Sequence, residues 1–111
     1  MTSEPAFGTV LDSRRSAQTS VCLTFELDGT ALWTGTFGAS SASDRSRGDF
    51  EEIAVPRVLE VLARFGARAT WFIPGTMAEL HADLVRRVIE RGHEVAHHGW
   101  AHEKISETDS D

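Results

Sequence analysis

Three apolar runs alternate with two amphipathic stretches along this 111-residue chain. The runs at residues 20–27, 69–73 and 94–97 are predicted β-strands, because they are short and, in the first two, rich in β-branched and aromatic side chains. In the stretches between them, apolar residues recur at steps of three and four, as on the buried side of a helix. The order strand, helix, strand, helix, strand predicts an α/β fold of parallel strands joined by right-handed crossovers.

The ends of the two helices are predicted from proline, glycine and acidic residues. Pro56 fits the first turn of a helix, so the first helix is predicted to begin near residues 54–56 and to end at Gly66. Asp83 is positioned to cap the second helix, which is predicted to run through Arg91. The apolar stripes that these helices would bury are Val55, Val58, Leu59, Leu62 and Phe65 in the first, and Leu84, Val85, Val88 and Ile89 in the second.

The remaining segments differ in composition from this core. Residues 1–19 contain few large apolar side chains and are predicted to form a flexible tail. Residues 104–111 are predicted to form a polar C-terminal tail. Residues 28–50 are rich in Gly, Ser and Thr and are predicted to form a long loop that is either functional or disordered. A single domain over residues 20–103 follows from these boundaries.

Charge and cysteine content exclude several classes of protein. The 17 acidic residues outnumber the 11 basic ones, which gives a net charge of −6, so a nucleic-acid partner is not expected. Residues 1–20 lack the apolar stretch of a secretory signal, and no run approaches a membrane span, so we expect a cytoplasmic protein without a membrane partner. Cys22 is the single cysteine and is predicted to be a buried thiol in the first strand.

The candidate chemistry lies at the ends of the first and third predicted strands. His98 and His102 are four residues apart, a spacing that can bring two imidazoles onto one metal ion, although from this pair alone a solvated loop is an equal alternative. Glu26 and Asp28 stand at i and i+2, so they project to the same side of a strand end. Two imidazoles and one carboxylate form a three-ligand set with a position left for water, and the second carboxylate can accept a proton.

Three motifs carry a resemblance to a known family. They are residues 23–29 (LTFELDG), 69–75 (ATWFIPG) and 92–103 (GHEVAHHGWAHE). In this order they resemble the start of a polysaccharide deacetylase (NodB homology) domain, in the branch with cytoplasmic peptidoglycan-deacetylase-like and allantoinase-like amidohydrolases. The resemblance implies the N-terminal portion of a (β/α) barrel of the NodB type, also called the glycoside hydrolase-deacetylase type.

The resemblance also implies a reaction and roles for individual residues. Asp28, His98 and His102 would bind a divalent cation, zinc first, with cobalt, nickel and iron also compatible. Glu26 would be the general base in the hydrolysis of a non-peptide carbon–nitrogen bond, with an acetylated sugar or a small amide as substrate. Trp33 and Arg47 lie in the loop between the first motif and the first helix and could bind substrate. The alternative is that both side chains only pack within the loop or contact solvent.

Two departures from the family pattern leave other hypotheses open. The family usually has aspartate where this chain has the longer Glu26, and an arginine-containing motif and a late histidine that follow in the family have no counterpart among these residues. A three-stranded sheet would leave open edges, which invite a homo-oligomer or a complementary chain. A non-catalytic metal-binding or interaction fragment, or a remnant that binds nothing, is therefore the alternative. His81 and His93 are expected to be surface or structural residues.

Overall fold

The computed structural model describes residues 18–107, which form a three-stranded parallel sheet with helices packed against it. In chain order the elements are β1 (Thr24–Glu26), α1 (Gly29–Ala31), a π-helical turn (Leu32–Thr36), α2 (Ala42–Arg45), a 3-10 turn (Ser46–Gly48), α3 (Glu51–Arg64), β2 (Thr70–Ile73), α4 (Gly75–Leu80), α5 (Ala82–Glu90), β3 (Glu94–His97) and a 3-10 turn (Ile105–Glu107). The predicted tails fall largely on residues 1–17 and 108–111, outside the described residues.

The sheet has the order β1-β2-β3, with both pairings parallel. Phe72 of β2 lies opposite Glu26 of β1 on one side and Ala96 of β3 on the other. This arrangement confirms the predicted alternation of strands and helices. Since parallel strands end at the same edge, the segments that leave β1 and β3 begin side by side.

The core lies between one face of the sheet and the helices. Trp71 and Ile73 of β2 are buried, whereas Phe72 between them is half-buried on the opposite face. The buried apolar residues form one cluster: Leu27, Ala31, Val55, Leu59, Leu62, Ala69, Trp71, Ile73, Met77, Leu84 and Val88. Most of the predicted helix stripes are therefore correct. Phe65 and Ile89 are exposed instead, Phe65 because it follows the last residue of α3.

Both long helices begin at residues other than those predicted. α3 begins at Glu51, so Pro56 is its sixth residue and lies inside the helix. Pro56 has no N–H to donate to the carbonyl of Glu52, so α3 lacks that one backbone hydrogen bond. α5 begins at Ala82 after His81, so Asp83 lies in its first turn rather than at the cap. A negative charge there still interacts favourably with the positive end of the helix.

The first strand is shorter and less covered than the sequence predicts. β1 has three residues, and Val21, Cys22 and Leu23 before it are exposed. The prediction of a buried Cys22 thiol is therefore wrong, because the helices cover only one face of the sheet. Residues 28–50 contain short helical turns rather than a fully irregular loop. Among the helices of residues 18–107, none is both long and apolar enough to cross a membrane.

Two histidines outside the predicted ligand set, His81 and His93, are buried structural residues. The Ala69 N–H donates to Nδ1 of His93 (3.1 Å), which ties the start of β2 to the start of β3. The pKa of His93 lies below its ordinary value, mainly because burial disfavours the charged ring and further because Arg68 and Arg91 repel it. His81 lies with its Nε2 3.7 Å from Oε2 of Glu51. The expected structural role holds for both histidines, but neither is on the surface.

The turn after β1 requires a glycine. Gly29 has φ +49°, and a Cβ added there would lie 1.9 Å from Oε1 of Glu51 and 2.2 Å from Cε of Met77. Any side chain at this position would therefore collide with two buried neighbours while adopting a left-handed backbone conformation that L-residues rarely take.

We predict that Gly29→Ala lowers the free energy of unfolding by about 2–5 kcal/mol, from about 1–2 kcal/mol of backbone strain and about 1–3 kcal/mol of overpacking. Gly38→Ala is the matched control, because Gly38 has φ +63° but open space around its Cα. In urea unfolding, Gly38→Ala should lower the free energy of unfolding only by the contribution from backbone strain, about 1–2 kcal/mol. Equal losses for the two variants would contradict the packing around Gly29.

The buried His93 also predicts a pH dependence of stability. The unfolded chain has the ordinary histidine pKa of about 6.5 and the folded chain a lower one, so the unfolded state binds more protons as the pH falls below that value. The stability that neutral His93 contributes is therefore complete above about pH 6.5 and is lost progressively below it. Protonation would also remove the acceptor for the Ala69 N–H.

We expect the stability advantage of the wild type over His93→Gln to shrink between about pH 7.5 and about pH 5.5, as measured by urea unfolding. An unchanged difference between the wild type and His93→Gln would show that His93 does not cause the pH dependence.

Candidate metal centre

Asp28 stands where β1 ends and the chain turns into α1. The Leu27 N–H donates to the Phe72 carbonyl (2.9 Å), so the pairing of β1 with β2 continues to the residue before Asp28. The Asp28 carbonyl in turn accepts from the Ala31 N–H (2.9 Å) at the start of α1. The backbone on both sides of Asp28 is thus held by hydrogen bonds, which orients its carboxylate at the carboxyl edge of the sheet.

The histidine loop, residues 98–103, follows β3 at the same edge. Its backbone is bonded to the start of α4, because the carbonyls of Gly99 and Trp100 accept from the N–H groups of Gly75 (3.0 Å) and Thr76 (2.8 Å). The Glu103 carboxylate accepts from the N–H groups of Ala101 (2.6 Å) and Trp100 (3.2 Å). These hydrogen bonds stabilise the charged carboxylate and so lower the pKa of Glu103, and the bond from Ala101 has the largest effect. The loop is therefore held by hydrogen bonds within itself and to the start of α4.

The three predicted ligands converge in this structure. Oδ1 of Asp28 lies 3.2 Å from Nε2 of His98, and Oδ2 lies 3.4 Å from Nε2 of His102. The two imidazole rings are 4.8 Å apart and nearly perpendicular. Together these residues form a group whose possible ligand atoms all lie within 4.8 Å of one another. Their side chains are 19–28% exposed, so the group opens to solvent on one side.

The geometry of these atoms fits a metal ion better than a hydrogen-bonded triad. Oδ1 of Asp28 and Nε2 of His98 are both buried and lack a hydrogen-bond partner among the described residues, although they are neighbours. Each oxygen of the Asp28 carboxylate lies 3.2 or 3.4 Å from a different imidazole nitrogen, so all three side chains are close enough to share one metal ion. One carboxylate and two imidazoles are also a ligand set that zinc accepts.

Glu26, the predicted base, lies outside this three-residue group. It is exposed and stands opposite Phe72 in the register of β1 and β2, so both side chains project from the same face of the sheet. The Phe72 ring lies 6.3 Å from the ring of His98. Glu26 is thus on the face of the sheet that borders the site, and its role as a base stays a prediction.

The predicted substrate residues Trp33 and Arg47 contact each other. The Arg47 guanidinium carbon lies 5.2 Å from the centre of the Trp33 ring, in cation–π geometry. Phe37 packs against the same indole, with ring centres 5.6 Å apart. These contacts account for both side chains as loop packing, and a contact with substrate stays a prediction.

Sequence reasoning missed Thr36 in the loop before α3. Its Oγ1 lies 2.6 Å from Nδ1 and 2.5 Å from the carbonyl oxygen of His102. The composition of residues 28–50 gives no signal for this contact, since it joins two loops that are distant in sequence. His97 lies outside the ligand group, and its Nδ1 accepts from the Gly99 N–H (3.2 Å).

This chain is similar in sequence and in fold to known proteins. The family model for polysaccharide deacetylases matches residues 14–111. A peptidoglycan deacetylase from Helicobacter pylori is 38% identical over 80 residues, which cover 70% of this chain and 27% of that protein. A peptidoglycan deacetylase-like protein from Gibberella zeae is 32% identical over 101 residues, which cover 88% of this chain and 30% of that protein.

A solved structure confirms the fold expected from the resemblance. The crystal structure of a protein assigned as a polysaccharide deacetylase, from Mycobacterium smegmatis, matches with a TM-score of 0.68 at 33% identity. The match covers 79% of this chain and 32% of the other. The chain therefore spans about a third or less of the length of these relatives, and its α/β unit is a portion of a NodB-type barrel. On both its sequence and its fold, this chain belongs to the polysaccharide deacetylase family.

Proposed function

We propose that this chain carries the metal-binding part of a hydrolase that removes N-acetyl groups from amino sugars. The observation that carries the proposal is the convergence of Asp28, His98 and His102 on one point, within a chain of the polysaccharide deacetylase family. The names of its relatives, among them a peptidoglycan deacetylase and a chitooligosaccharide deacetylase from Sinorhizobium fredii, support an acetylated amino sugar as the substrate class.

In this proposal each residue has one chemical task. Asp28, His98 and His102 hold a divalent cation, for which zinc is the first candidate and cobalt, nickel or iron are alternatives. When bound, the cation supplies Lewis-acid polarisation of the acetamide carbonyl and acidifies the attacking water. Glu26 accepts the proton of that water. Glu26 then gives this proton to the sugar nitrogen as the carbon–nitrogen bond breaks, so that acetic acid, which ionises to acetate, and a free amine leave.

The openness of the site supports a large substrate. The three proposed ligand side chains are 19–28% exposed, so a cation that they held would be accessible from solvent. A sugar chain could approach from that side without any movement of the core. Trp33 and Arg47, which pack together in the neighbouring loop, are the proposed substrate contacts of this chain.

A non-catalytic metal-binding fragment is the second candidate. Glu26 is exposed, and the chain spans about a third or less of the length of its relatives. Within residues 18–107, β1 and β3 each pair on one side only, so a complementary chain or a second copy could add strands there. Metal binding without turnover would support this candidate, as would activity that requires a second chain. Both candidates are proposed for a cytoplasmic protein.

We predict that the folded chain binds about one zinc ion and that His98→Ala with His102→Ala binds none, since the double variant removes two of three ligands. Elemental analysis after gel filtration measures the metal content of each folded protein. His97→Ala is the matched control, because it removes a neighbouring histidine that lies outside the ligand group. A metal-free folded wild type would refute the proposed site, as would equal zinc in the wild type and the double variant.

We further predict that Glu26→Gln lowers the rate of acetate release from N-acetylglucosamine oligomers by about 10²–10⁴-fold while zinc content is unchanged, because it removes a general base and no ligand. Glu94→Gln is the matched control. Glu94 is an exposed carboxylate that accepts a hydrogen bond from Thr70 (2.6 Å) at the start of β3, away from the site edge. If the zinc-loaded wild type releases no acetate, the non-catalytic candidate is favoured.

A further inference from the structure

Thr36 contacts both the ring and the backbone of His102. Its Oγ1 lies 2.6 Å from Nδ1 of the imidazole and 2.5 Å from the carbonyl oxygen of the same residue. We infer that Thr36 is a positioning residue, which fixes the tautomer of His102 and so presents its Nε2 to the cation. This inference rests on the metal centre proposed above.

The tautomer follows from the donors and acceptors in this contact. A threonine hydroxyl has one hydrogen, and a carbonyl oxygen can only accept, so the hydroxyl donates to the His102 carbonyl. In its contact with Nδ1 the hydroxyl oxygen must then be the acceptor, and Nδ1 must carry a hydrogen. Because neutral imidazole has one N–H, Nε2 of His102 is left with a lone pair.

That lone pair points to the ligand group. Nε2 of His102 lies 3.4 Å from Oδ2 of Asp28, and with its hydrogen on Nδ1 it has none to donate to the carboxylate. Two acceptors at this distance repel each other unless a cation lies between them. The hydrogen bond on the far side of the ring therefore prepares His102 to bind a metal, as outer partners of ligating histidines commonly do.

The local fold brings the threonine to this position. Residues Leu32–Thr36 form a π-helical turn, in which the Phe37 N–H donates to the Leu32 carbonyl (3.3 Å). Gly35 lets this turn approach the histidine loop, because a Cβ there would lie 1.6 Å from the carbonyl oxygen of Ala101. The contact between Thr36 and His102 is consequently partly shielded from water.

The experiment replaces the hydroxyl while keeping the branched shape. Thr36→Val should lower zinc affinity by about 10–100-fold, and Thr36→Ser, which restores a hydroxyl, should bring it back towards the wild-type value. Affinity is measured by competition with a zinc chelator, after circular dichroism shows that each variant is folded. Thr34→Val is the matched control, since Thr34 lies in the same turn, is exposed, and bonds to the Thr30 carbonyl (3.0 Å) rather than to a histidine.

A second measurement reads the tautomer without any metal. Proton–nitrogen correlation spectra of the metal-free chain, at a pH where imidazoles are neutral, should show the Nδ1–H form of His102 in the wild type and in Thr34→Val, and its loss in Thr36→Val. Retention of that form or of wild-type zinc affinity in Thr36→Val would overturn the inference. If the wild type shows the tautomer but binds no zinc, the proposed metal centre fails while the role of Thr36 in fixing His102 is supported.

Discussion

The pairing of β2 with a strand on each side is the interaction on which the candidate site depends. The last register pair of β2 and β3 joins Ile73 to His97, one residue before His98. On the other side, the bond from Leu27 to Phe72 extends the pairing to one residue before Asp28. Asp28 and His98, two proposed ligands that are distant in sequence, thereby leave the sheet at one edge, and the position of each is set by a backbone ladder rather than by a flexible loop.

A second constraint comes from the charges that this pairing brings together. A carboxylate and two imidazoles are half-buried with their acceptor atoms 3.2–3.4 Å apart. Burial weakens their hydration, and two of these atoms have no hydrogen-bond partner among the described residues. A bound cation would replace the lost hydration with direct bonds, so metal binding should stabilise the folded chain as well as prepare it for chemistry.

The sequence predicted those parts of the fold that repeat with a regular period. Apolar residues at helical spacing gave the stripes of α3 and α5, because burial against a sheet selects for that spacing. Asp28, His98 and His102 could be paired in advance, since each follows a predicted strand and parallel strands end together. The start of α3 was missed because proline is generally confined to the first turn of a helix, whereas Pro56 is the sixth residue of α3.

Contacts between loops could not be predicted in the same way. Thr36 and His102 lie in two connecting segments that are 66 residues apart in sequence. The chain contains several threonines, and nothing in the sequence distinguishes Thr36 as the one that contacts His102. The exposure of Cys22 was missed for a related reason. An apolar run indicates that a strand can be covered on both faces, but only the packing of the helices shows that one face is left open.

Glu51 shows how the fold holds the turn that carries Asp28. This side chain is 2% exposed at the start of α3, and neither carboxylate oxygen has a hydrogen-bond partner among the described residues. Burying such a group is unfavourable, and the positive end of α3 offsets part of that cost. The Nε2 atom of His81 lies 3.7 Å from Oε2 of this carboxyl group. The carboxylate fills the space beside Gly29, and Met77 of α4 meets the same point. The backbone of the turn after β1 is thus packed against α3 and α4, which fixes the point from which the Asp28 side chain projects towards the two histidines.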